Sequence, residues 1–133
     1  MLFVENPLYS HFAQGREDSG RPLGRLRPNV VRLKDHPILE FPIGREVMFT
    51  FNGKEIEGIE GEPIAAALHA AGVRVLRHSP KLGRARGFFC AIGACSSCLM
   101  TVDGVPNVRV CTEPLKQGMV VETQEGHGHL PID

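Results

Sequence analysis

From residue 46 onward the apolar positions fall into patterns that identify elements. Val47, Phe49 and Phe51 recur at every second residue with Met48 and Thr50 between them, the period of a strand. Asn52-Gly53 follows, a dipeptide that tolerates positive φ in a tight turn, and Lys54 to Ile59 returns as the second strand of a hairpin. Glu62-Pro63 opens a helix, proline suiting a first turn where its missing N–H leaves no bond unmade. Ile64, Ala67, Leu68 and Ala71 share a helical face expected to cover the hairpin, and Gly72 stops the helix. Val73 to Leu76 reads as a short strand or extended run, and Pro80 to Gly87 as a loop of glycine and arginine. Cys98 to Val102 and Val105 to Val110 flank Asp103-Gly104, a second hairpin signal, and Met119 to Thr123 is the last strand. This order predicts an α+β fold in which a helix packs across a small mixed sheet.

Residues 1–45 show no such period. They carry prolines at 7, 22, 28, 37 and 42 and scattered arginines, which predicts an extended arm. The arm holds Leu2, Phe3, Val4, Leu8, Tyr9 and Phe12, then Val30, Val31, Leu33, Ile38, Leu39 and Phe41, too many apolar residues for a solvated tail. It is expected to lie along a partner or to wrap the domain. With 133 residues, 42% of them apolar, one core is expected: an arm over 1–45, a domain over 46–126 and a tail over 127–133. The tail's His127 and His129 read as solvated residues, since two side chains do not make a metal site.

Lysine and arginine number 15, as do aspartate and glutamate, so the balance calls for neither nucleic acid nor an anionic membrane. The distribution is uneven: no Asp or Glu lies between Pro63 and Val102, where Arg74, Arg77, Lys81, Arg84 and Arg86 fall. The first ten residues lack a basic stretch followed by a long apolar run, and no segment is long enough to span a bilayer, so a cytoplasmic protein is expected. In a reducing compartment its four cysteines point to metal ligands or catalytic thiols rather than disulfides.

Those cysteines fall as C-x4-C-x2-C-x12-C at Cys90, Cys95, Cys98 and Cys111, the plant-type 2Fe-2S arrangement. Ala91, Gly93, Ala94, Ser96 and Ser97 are small enough for the loop to curl and for its N–H groups to point at sulfur. Arg84 and Arg86 are candidates to favour the reduced form, which would place the potential above the about −400 mV of plant-type ferredoxins. Four thiolates also suit structural zinc, and a zinc-stabilised module bridging subunits is the alternative, although only Cys95 and Cys98 form a C-x2-C knuckle. A Rieske site needs two histidines, and none lies between Cys90 and Cys111. A redox dithiol would leave Cys90 and Cys111 unexplained.

No local signature of acid-base or nucleophilic catalysis is present, nor a glycine-rich nucleotide motif. A single cluster moves one electron at a time, so two-electron oxidation of a substrate belongs to another cofactor in another subunit. The chain is therefore expected to be non-catalytic alone and part of a heteromer.

Between Val47 and Glu125 the chain resembles the small ferredoxin-like 2Fe-2S subunits of heteromeric FAD-dependent amino-acid dehydrogenases and oxidases. Hydrogen cyanide synthase, the multisubunit proline, hydroxyproline and opine dehydrogenases, and the N-terminal domain of the sarcosine oxidase α subunit are examples. The resemblance lies in Phe49-Thr-Phe-Asn-Gly-Lys-Glu-Ile-Glu-Gly, Glu60-Gly-Glu-Pro-Ile-Ala-Ala-Ala-Leu, Ala71-Gly-Val-Arg-Val, Arg84-Ala-Arg-Gly-Phe-Phe-Cys-Ala-Ile-Gly-Ala-Cys, Val110-Cys-Thr-Glu-Pro and Gly118-Met. It implies a β-grasp fold with the four cysteines as cluster ligands. It also implies flavoprotein partner subunits holding FAD, and in some cases FMN, with electrons relayed from or between those flavins. The arm before Arg45 departs from the shortest members. A free ferredoxin shuttling between unrelated partners is a third reading, against which the basic stretch from Arg74 to Arg86 weighs, since such carriers usually present acidic surfaces.

Overall fold

Asn52-Gly53 and Asp103-Gly104 set the two main hairpins. Their φ values are 47° and 78° in the first and 49° and 80° in the second. Positive φ at both central residues is what a type I′ turn demands, and its twist matches that of the flanking strands. The computed structural model describes residues 32–33, 36–41 and 44–129. The first turn joins β1 (Glu46–Phe51) to β2 (Lys54–Ile59), and the second joins β5 (Leu99–Val102) to β6 (Val105–Arg109). Between them lie α1 (Ile64–Ala70), β3 (Arg77–His78) and β4 (Ala85–Arg86), and β7 (Val120–Glu122) follows.

The sheet runs β2-β1-β7-β5-β6, so β7 fills the gap between the two hairpins. It pairs parallel to β1 and antiparallel to β5. Both turns help hold it there. Asn52 donates its side-chain N–H to Thr123 Oγ1 at 3.0 Å and accepts the Thr123 N–H at 2.9 Å, while Asp103 Oδ1 accepts the Val120 N–H at 2.8 Å. Behind β6, the buried Gln124 exchanges two hydrogen bonds with Asn107, at 2.7 and 2.8 Å.

Helix α1 covers the β1–β2 hairpin. Ile64 and Leu68 are fully buried, each worth about 2 kcal/mol in apolar surface removed from water. Gly58 in β2 allows the close approach: a β-carbon there would collide with Leu115 Cδ2 and come within 3.2 Å of Ala67 Cβ. Ala65 and Ala70 are buried as well, beyond the face expected from periodicity. On its other side the helix meets the chain after β6, whose carbonyls at Glu113 and Val110 accept the N–H groups of Ile64 and Ala65 at 2.9 and 2.8 Å. Those are two of the donors a helix N-terminus leaves open. The Glu62 carboxylate accepts the Ile59 N–H at 2.7 Å and a forked pair from Arg32 at 2.5 and 2.6 Å. At the other end, Gly72 N–H bonds His69 O and Val73 N–H bonds Leu68 O, a Schellman cap with Gly72 at φ 90°.

Two expectations need correction. Pro80 to Gly87 is not all loop, because Ala85-Arg86 forms β4 and pairs with β3. Val73 to Leu76 is irregular, and the strand begins at Arg77. Each strand of this ribbon is only two residues long, too short for alternation to show. Among the described residues no helix is long and apolar enough to cross a membrane. Residues 1–31 and 130–133, and with them most of the apolar positions of the arm, lie outside the described residues.

Replacing Gly58 by alanine is expected to destabilise the fold by about 1–3 kcal/mol, the usual cost of overpacking a filled core. Urea denaturation checks it; an unchanged midpoint would show that Leu115 moves aside freely.

Candidate metal centre

The loop that bears three of the cysteines is shaped by its small residues. Gly87 passes so close to the main chain of Arg74 that a β-carbon would lie 2.6 Å from the Arg74 carbonyl oxygen. Beyond Cys90 the chain turns through left-handed positions at Ala91 (φ 56°) and Gly93 (φ 77°). A side chain at Gly93 would press on Thr112 at 3.2 Å, so this glycine lets the loop close against the segment that carries Cys111. The Val110 N–H donates to the Cys98 carbonyl at 3.3 Å and ties the same two segments from below.

Folding thus gathers all four thiols, and none is in a disulfide. They stand as two neighbouring pairs, Cys90 with Cys95 and Cys98 with Cys111, each close enough to act on the other's thiol. Cys98 and Cys111 are 2% and 4% exposed, whereas Cys90 and Cys95 are half-buried. Cys95 N–H donates to Cys90 Sγ at 3.3 Å, and Ser97 N–H to Cys95 Sγ at 3.5 Å. The N–H groups of Ile92 and Cys95, then the Cys95 thiol and the Ala94 N–H, hold the Cys90 thiol down at about 6. Burial, with the nearby Cys111 and Cys95, pushes Cys98 up to about 11.

Of the small residues named from sequence, Ala94 and Ser97 direct N–H groups at sulfur and Gly93 permits the turn, while Ser96 offers its carbonyl to an arginine. Arg84 and Arg86 are exposed on the β3–β4 ribbon. Arg86 lines a cleft of about 290 Å³ with Cys95, Ser96 and Ser97, and the Arg84 main chain bonds Ser79. The cations that grip the loop are two others. Arg77, 7% exposed, donates to the Ser96 carbonyl at 3.3 Å, and Arg109 donates to the Cys95 carbonyl at 3.3 Å. Arg109 had no signal beyond its nearness to Cys111 in the sequence. Arg77 had none beyond its place in the carboxylate-free stretch.

Among the described residues no group of three or more His, Cys, Asp or Glu side chains converges on the position of a single ion. Two pairs of thiolates, each sulfur near backbone donors or buried, instead fit two irons that take two thiolates apiece. The arrangement defines an iron-sulfur protein. Residues 44–126 match the family of 2Fe-2S iron-sulfur cluster binding domains, and the chain belongs to that family. Its cofactor is a 2Fe-2S cluster, and it is an electron-transfer protein.

Relatives agree with this placement. The hydrogen cyanide synthase subunit HcnA of Pseudomonas aeruginosa is 36% identical over 84 residues, which are 62% of this chain and 80% of that subunit. Its counterpart from Pseudomonas protegens is 30% identical over 78 residues, 59% and 73% of the two chains. Sarcosine oxidase subunit alpha of Rhizobium meliloti is 34% identical over 89 residues, 64% of this chain but 9% of that subunit. Among solved structures, L-proline dehydrogenase from P. horikoshii superposes with a TM-score of 0.58 at 32% identity, over 68% of this chain and 18% of that one.

In the metal-free protein, iodoacetamide is expected to modify Cys90 first, its rate rising as pH passes about 6. Cys98, pushed up to about 11, should react last. Peptide mapping after timed quenching reads the order, and equal rates at all four thiols would contradict it.

Proposed function

We propose that this chain is the electron-relaying subunit of a multisubunit FAD-dependent amino-acid or imino-acid dehydrogenase, with Cys90, Cys95, Cys98 and Cys111 as the cluster ligands. The observation that carries this reading is the pairing of the thiols, one pair buried and one at the surface. Bound there, the cluster supplies a one-electron couple. The buried pair excludes water from one side, and the half-buried pair brings the other side to where a partner could reach it. Substrate oxidation then falls to FAD in a partner subunit, with FMN as a further relay in some assemblies. The relatives' names, a hydrogen cyanide synthase subunit and a sarcosine oxidase subunit, support an assembly of this kind.

The mixed sheet with parallel β1 and β7 at its centre and α1 across it supports a β-grasp assignment. We divide the chain into a partner-contacting or wrapping arm over 1–45, the cluster domain over 46–126 and a tail over 127–133. Four free thiols suit the reducing cytoplasm.

Cys95→Ser is expected to lose the visible absorption of the cluster and to lower thermal stability, because ligation organises a loop with little apolar core of its own. Retained absorption would remove Cys95 from the ligand set. Arg77→Gln keeps a donor for Ser96 and removes the charge, so the midpoint potential should fall by on the order of 60 mV, a tenfold bias for a one-electron couple. A redox titration showing no fall would mean that Arg77 holds the loop without tuning it. The role itself is tested by purifying the tagged chain from its native source. Flavin-bearing subunits should accompany it in fixed proportion, and an amino or imino acid should bleach both chromophores. A cluster-loaded chain that purifies alone would overturn the proposed role.

A further inference from the structure

The rim of the cysteine loop carries a surface that holding a cluster does not require. Phe89, next to Cys90, is 84% exposed, and Ile92, two residues beyond, is 75% exposed. Both stand on the one cysteine loop, and exposed apolar surface rimmed by polar residues marks an interaction site. Three arginines lie beside the loop. Arg86 shares a cleft with Phe89 and Cys95, and Arg109 reaches the Cys95 carbonyl. Arg74 bonds His69, whose ring meets Phe88 edge-on at 5.7 Å. All three arginines are exposed, and neither salt bridge among the described residues engages them.

We propose that this face docks the flavoprotein subunit, with Phe89 and Ile92 entering an apolar hollow on the partner and Arg74, Arg86 and Arg109 facing carboxylates around it. The inference rests on the electron-relay reading and deepens it by naming the surface and the chemistry of its occupant. An apolar centre inside a charged rim is the usual anatomy of a protein interface. Exposed arginines, two of them (Arg74 and Arg86) in a stretch without carboxylates, select an acidic partner and speed its encounter. Geometry points the same way, because the half-buried Cys90–Cys95 pair lies beside Phe89, while a partner docked behind Cys98 and Cys111 would be separated from the thiols by the core.

The test uses the full-length, cluster-loaded chain and the FAD-bearing subunit identified by its flavin spectrum in the native complex. Phe89→Asp should weaken binding at least tenfold with the visible spectrum unchanged. Arg86→Glu should weaken it as well and flatten its dependence on salt. Val105→Asp, at the far turn of the β5–β6 hairpin, is the control and should bind as wild type. If both loop-face variants bind as wild type, the surface is wrong and the electron-relay role stands. If the wild-type chain binds no flavoprotein, both fail. A self-association of the isolated chain that Phe89→Asp abolishes would assign the face to a second copy and overturn the proposal.

Discussion

Thiolates crowded into one small volume repel one another, and the architecture of this protein is organised around opposing that repulsion. Backbone donors do so at the surface pair, where N–H groups from Ile92, Ala94 and Cys95 surround Cys90 Sγ and Ser97 N–H reaches Cys95. Burial makes the opposite demand at Cys98, where the charged form is disfavoured until a metal supplies positive charge. The two halves of the site therefore differ in chemistry before any metal arrives. Cys90 is primed as thiolate, while Cys98 waits for compensation.

The rest of the fold brings the distant fourth cysteine to the loop. Cys111 lies between Val110 and Glu113, whose carbonyls accept the first N–H groups of α1, and Val110 N–H in turn binds Cys98 O. Helix, β6 and cysteine loop consequently share one junction. Arg77 and Arg109 add full charges by gripping the loop's carbonyls at Ser96 and Cys95. The glycines at 87 and 93 matter for what they lack, since a side chain at either would hold the loop away from its supports.

Local signals in the sequence were legible and long-range ones were not. Asn52-Gly53 and Asp103-Gly104 announce their turns because the requirement for positive φ is written in the dipeptides themselves. The cofactor was legible because a cluster imposes spacing on its ligands along the chain. The insertion of β7 between β1 and β5 was not, since it depends on bonds such as Thr50 N–H to Met119 O across about seventy residues of sequence. The β3–β4 ribbon escaped because Ala85-Arg86 carries no apolar alternation. Arg84 and Arg86 drew attention by their nearness in sequence to Cys90, but the loop's carbonyls are held by Arg77 and Arg109, which only folding brings to it.

The central claim, that this fold exists to hold two irons and inorganic sulfide among its thiols, is tested most directly by elemental analysis of anaerobically purified chain. Two irons and two acid-labile sulfides per chain, in a brown protein bleached by dithionite, is the expected result for this family. A colourless protein with one zinc per chain and no sulfide would contradict it.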